Sequence, residues 1–116
     1  MNVSTGPDPR SGDGLDATAP GVVEFLTFTV APHDQAEWLD ADERIWTTFL
    51  RTRPGFVSKQ TWTDRAHPDR VHAVIVWVDE ASWKAIPSDA LAAVDEAMGD
   101  WRRPLELHVY DIARST

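Results

Sequence analysis

Residues Val71 to Val78 (VHAVIVWV) read as a strand that is apolar on both faces except at His72. Successive side chains of a strand point to opposite faces, so such a strand needs cover on both sides. The chain has 116 residues, enough for one domain with one core and too few for two. Its fold must therefore cover this strand with its own helices on one face and find a second cover for the other.

The flanking segments supply the partners. Val22 to Val30 (VVEFLTFTV) is a strand rich in β-branched and aromatic residues, stopped by Ala31-Pro32. Val22, Glu24, Leu26, Phe28 and Val30 share one face, with Val23, Phe25, Thr27 and Thr29 on the other. Neither face reads as solvated, and Glu24 stands among apolar neighbours. Pro32 to Arg53 is the clearest helix. Trp38, Leu39, Ile45, Trp46, Phe49 and Leu50 fall on one side at helical spacing, with Glu37, Asp40, Arg44, Thr47 and Arg51 opposite. Pro54-Gly55 ends it.

Phe56 to Asp64 (FVSKQTWTD) alternates, placing Phe56, Ser58, Gln60 and Trp62 together and Val57, Lys59, Thr61 and Thr63 together. The charged turn RAHPDR joins it to the strand at Val71 as a hairpin. Asp79 or Ser82 then caps a short helix through Ile86, and Pro87 breaks it. Ser88 or Asp89 caps a second helix from about Asp89 to Met98, which Gly99 closes. Leu105 to Ile112 (LELHVYDI) is the last strand, with Glu106, His108, Tyr110 and Ile112 on one face.

The order β-α-β-β-α-β predicts a ferredoxin-like α+β fold, a four-stranded antiparallel sheet with helices on one face. The simplest cover for the other face is a second copy of the chain, so a homodimer pairing sheet against sheet is expected. Residues 1–20 are rich in Gly, Pro, Ser, Thr and Asp and are expected to be a disordered tail, with residues 21–114 as the single domain.

Composition narrows function. The absence of cysteine excludes disulfides, thiolate metal sites and cysteine nucleophiles. A net charge of -8 disfavours nucleic acid and anionic membranes as partners. No apolar run of membrane-spanning length and no signal-peptide pattern occurs, so a cytoplasmic protein is expected. Metal-ligand spacings, phosphate loops and nucleophile elbows are absent.

Six tryptophans are an unusual load for this length. They fit large core and interface positions, where aromatic residues dominate. Alternatively Trp46, Trp62, Trp77 and Trp83, with Ile86, wall a pocket for a flat ligand. Glu24 reads either as an ion-pair partner of Lys59 or an arginine, or as a buried base of raised pKa. His72 and His108 fit surface or interface positions, or serve as proton acceptors if they face a cavity. Tyr110 fits an interface, or donates to an oxyanion. Lys59 fits an ion pair between subunits.

The strand VEFLTFTV, the helix ending in RPGF, and the strand ending in Trp77 that leads into ASWKAIP resemble the dimeric α+β barrel superfamily. The likeness is to its antibiotic-biosynthesis-monooxygenase-like branch, and covers about Val22 to Ile112. The E-x-L-T-F strand, I-W helix, P-G-F turn, K-x-x-W strand and W-K-A-I segment are similar to an uncharacterised family first noted in cyanobacterial genomes. The resemblance implies a homodimer with a pocket in each subunit between sheet and helices. It further implies cofactor-independent monooxygenation of an aromatic or polyketide-like substrate, with Trp77 matching the tryptophan that commonly ends this strand. Haem-degrading members carry an axial histidine on the second helix; Asp89 to Met98 contains none. A cofactor-free cyclase or isomerase of a biosynthetic intermediate, and a non-catalytic ligand-binding or stress-response dimer, are the other functions this frame hosts.

Overall fold

The computed structural model describes residues 21–116; the tail expected over residues 1–20 lies outside them. Strands β1 (Val22–Thr29), β2 (Phe56–Thr63), β3 (Arg70–Trp77) and β4 (Leu105–Asp111) form one sheet in the order β2-β3-β1-β4. Every pairing is antiparallel. A 3₁₀ turn (Pro32–Asp34), α1 (Gln35–Asp42), a π-helical turn (Glu43–Thr47) and α2 (Thr48–Leu50) connect β1 to β2. Helices α3 (Glu80–Lys84) and α4 (Ser88–Met98) and a 3₁₀ turn (Gly99–Trp101) connect β3 to β4. This is the ferredoxin-like α+β arrangement, with the helices on one face of the sheet.

β3 sets the division of faces. Val71, Ala73, Ile75 and Trp77 are buried under the helices, and His72, Val74 and Val76 point the other way. Register then assigns the neighbours: Phe28, Leu26, Glu24 and Val22 of β1 stand opposite those four residues, on the same face. Two packed clusters fill the space beneath the helices. One contains Val22, Leu50, Ile75, Trp77 and Ile86; the other contains Val30, Trp38, Ala41, Val71 and Met98. Trp38 and Trp77 are the largest fully buried side chains, and truncating either would cost about 3–5 kcal/mol.

Three local features depart from simple periodicity. A bulge between Phe56 and Ser58 pairs Phe56 with Trp77 but Ser58 with Val76, so Phe56 faces the helices rather than joining Ser58, Gln60 and Trp62. One inserted residue exchanges the two faces of a strand, and alternation alone does not register it. The long helix is interrupted by a π turn, in which the Thr48 N–H reaches the Glu43 carbonyl five residues back. Its wider turn rotates Thr47, expected on the solvent side, into the interior, where it is buried. Helix α4 is preceded by Pro87, which gives it no side-chain cap; Asp89 Oδ1 instead accepts from the adjacent Ala90 N–H at 2.9 Å. Asp79 does cap α3, accepting from the Ser82 N–H at 2.8 Å.

Gly55 makes the corner between α2 and β2. Its φ of 85° lies in the left-handed region, and a Cβ there would collide with the Ser82 side chain. Gly55→Ala should destabilise the protein by about 2 kcal/mol in urea unfolding, from backbone strain and this collision together. An unchanged midpoint would show that the corner relaxes freely.

Candidate functional site

The inner face of the sheet carries two charged residues in one row. Glu24 on β1 is opposite Ile75 on β3, and Ile75 is opposite Lys59 on β2. Two inter-strand spacings put their backbones about 10 Å apart, with Ile75 between them. Above this row, Trp38, Asp42 and Trp46 follow one another at four-residue intervals along the helical segment, so they descend on one face. All six residues line a cavity of about 290 Å³ between sheet and helices. Its other walls are mostly apolar, including Leu26, Phe28, Ala73, Trp83, Ile86 and Trp101, with Asp95, Arg102 and Arg103 as further charged lining residues.

The polar groups are held at defined positions. Lys59 Nζ donates to Asp42 Oδ2 at 2.7 Å and to Thr47 Oγ1 at 2.8 Å. Both charged side chains of that pair are only 5% exposed. Trp77, diagonal to Glu24 across β1 and β3, donates its indole N–H to Glu24 Oε1 at 3.1 Å. Trp38 donates to the Trp101 carbonyl at 2.9 Å, fixing the helix against the connector before β4. Burial pushes the Glu24 carboxyl above its ordinary range, opposed by the Trp77 hydrogen bond and the Lys59 charge. Burial also raises Asp42, again opposed by Lys59.

Glu24, Trp46, Trp83 and Ile86, all singled out from the sequence, thus meet at one cavity. Trp77 does not line it; the ring is wholly buried behind the wall, edge-on to Phe56, and is linked to it by the hydrogen bond to Glu24. His72, His108, Tyr110 and Trp62 are not brought to this cavity. Strand alternation sends them to the opposite face of the sheet, where Phe25 touches Trp62, His72 and Tyr110. There His72 bridges Thr27 Oγ1 at 3.0 Å and Asp64 Oδ2 at 2.9 Å. The His72 hydrogen bond is the main reason that the Asp64 carboxyl is lowered to about 2.

Lys59 pairs within its own chain rather than as the expected bridge between subunits. Asp42 and Thr47 were missed as site residues. Four-residue spacing from Trp38 and Trp46 marks Asp42 as inward-facing, but the π turn that turns Thr47 inward leaves no such pattern.

No protein-family model and no curated protein matches the sequence. Solved structures do. The chain is similar to SnoaB, a cofactor-independent oxygenase from Streptomyces nogalater, at 24% identity and TM-score 0.65, over 84% of this chain and 97% of SnoaB. It is similar to the ActVA-Orf6 monooxygenase of Streptomyces coelicolor, solved with nanaomycin D, at 18% identity and TM-score 0.71. That match covers 84% of this chain and 92% of the other. The chain shares this fold. A conserved protein of Methanosarcina mazei Go1 has it too, at 16% identity and TM-score 0.62, over 79% and 92% of the two chains.

The raised Glu24 gives a signed test. A carboxyl raised by burial contributes stability below its unfolded pKa, and that contribution is lost as pH rises through its folded value. Glu24→Gln removes the loss and leaves an oxygen for the Trp77 N–H. Thermal melts should show a Tm advantage for Glu24→Gln that grows as pH rises above the ordinary carboxyl value of 4.5. An advantage that shrinks with pH would contradict burial as the dominant cause.

Proposed function

We propose that the protein is a cofactor-independent monooxygenase of a fused aromatic, polyketide-like hydroxyarene bound in the cavity between sheet and helices. One observation carries this reading: a carboxylate of raised basicity, Glu24, oriented by Trp77 at a largely apolar cavity walled by tryptophans. Such a group removes a proton from a phenolic or carbon acid, and the apolar wall keeps water from the anion. Trp46 and Trp83 supply flat surfaces for the ring system. The fold shared with two oxygenases supports the same class of chemistry.

The chemistry balances with dioxygen as the second substrate. Glu24 takes the hydroxyl proton. The electron-rich anion gives one electron to dioxygen, and the radical pair joins at the ring carbon para to the oxygen. The O–O bond then breaks with loss of the hydrogen on that carbon, and water leaves with the proton returned from Glu24. A hydroxyarene and one dioxygen become a quinone and one water.

The outer sheet face supports the reading of a homodimer. Trp62 and Tyr110 are 45% and 54% exposed beside Phe25 and the apolar side chains of β3, a surface suited to a second copy. Light scattering should give twice the chain mass.

Oxygen uptake tests the activity. With a panel of fused hydroxyarenes, 1-naphthol among them, the protein should consume one dioxygen per quinone formed without added cofactor. Glu24→Gln should lower kcat/KM by about 10²- to 10⁴-fold. Turnover that persists without oxygen would move the assignment to a cyclase or isomerase. A Glu24→Gln variant as active as the parent would remove Glu24 from the mechanism.

A further inference from the structure

The Lys59–Asp42 pair is hard to explain by stability. Taking two charges out of water is costly, and well-packed apolar residues of the same volume are often neutral or more stable in such places. Both partners nevertheless sit almost wholly buried on the wall of the cavity. An ammonium has three N–H donors. Asp42 and Thr47, both on the helical side, accept two of them. Among the described residues the third has no acceptor, and the tetrahedral geometry of Nζ directs it away from the two that are used.

We infer that Lys59 is the anion-holding residue of this site: its remaining N–H donates to the ionised oxygen of the bound hydroxyarene. Asp42 and Thr47 are positioning residues that fix the ammonium and do not touch the ligand. This inference rests on the cavity reading above and names the donor that the reading leaves open.

Charge conservation supports it. With Glu24 and Asp42 ionised and Lys59 protonated, the three groups carry one net negative charge. Proton transfer from the ligand to Glu24 moves that charge from the carboxylate to the ligand oxygen and adds none to the cavity. The charge moves between Glu24 and a point beside a fixed ammonium, so no group needs to reorient as the anion forms. Trp38 cannot serve the same purpose, since its indole N–H is spent on the Trp101 carbonyl.

The test uses 4-nitrophenol, whose anion is coloured and which does not react with oxygen. Glu24→Gln is compared with the triple variant Glu24→Gln/Asp42→Asn/Lys59→Met. The cavity groups carry the same net charge in both, so a difference reports the directed N–H and not bulk charge. Removing both partners together avoids leaving a lone buried Asp42, which would threaten folding. Absorbance titration of the bound probe should show that Glu24→Gln prefers the anion, with ionisation at lower pH than in free solution. The triple variant should bind the anion about ten- to a hundredfold more weakly, the range set by one charge-assisted hydrogen bond, with affinity for neutral 4-nitrophenol nearly unchanged. Saturable binding with the same ionisation pH in both variants overturns the role of Lys59 and leaves the cavity reading standing. Absence of saturable binding to Glu24→Gln overturns the cavity reading itself.

Discussion

A lysine ammonium inside a protein requires acceptors, and much of this architecture follows from supplying them to Lys59. Its strand, β2, is at the edge of the sheet, so its partners come from the helical layer above. Asp42 closes α1, and Thr47 lies five residues on, more than one ordinary helical turn away. In an unbroken α-helix two residues at that spacing point in clearly different directions. The π turn from Glu43 to Thr47 brings both to the same nitrogen. The helix thereby departs from regular geometry at the place where the site needs two acceptors on one side, a setting in which π turns are often found.

The same logic runs through the other charged group. Glu24 lies on a central strand, and its diagonal neighbour reaches it without disturbing the ladder. Trp77 fills that position with a large apolar body and one donor. Its ring completes the core while its N–H restrains the carboxylate, so a residue that is structural by burial is tied to the site by one atom. The sheet thus separates two kinds of work. Its inner face carries an ordered charged row within a largely apolar cavity, and its outer face carries aromatic rings around Phe25, with His72 held between Thr27 and Asp64.

Much of this was legible in the sequence, for identifiable reasons. The order of elements follows from strand-length apolar runs, from Pro32, Pro54-Gly55 and Pro87, and from helical spacing, all local signals. Glu24 could be picked out because a charged residue among four apolar neighbours on one strand face is conspicuous. What could not be read were insertions that leave composition unchanged. The bulge at Val57 moves Phe56 to the other face, and the π turn brings in Thr47; neither leaves a residue type that betrays it. The histidines on β3 and β4 illustrate a further limit. Their chemistry suited a base, but only register decides which side of the sheet that chemistry serves, and it puts both opposite the cavity.

The energetic case for a site rather than a core follows from what a stable interior would prefer. Asp42, Lys59 and Glu24 each lose hydration on burial, and both carboxyl groups are raised in consequence. A domain of this size has only about 5–15 kcal/mol of net stability to draw on. Apolar residues of matching volume at Lys59 and Asp42 would fill the space without that cost. The one ion pair and the tryptophan hydrogen bond limit the loss but do not remove it. Polar groups kept at a cost to stability, all on the wall of one cavity and restrained by one another, by Thr47 and by Trp77, are arranged for a molecule that arrives from elsewhere.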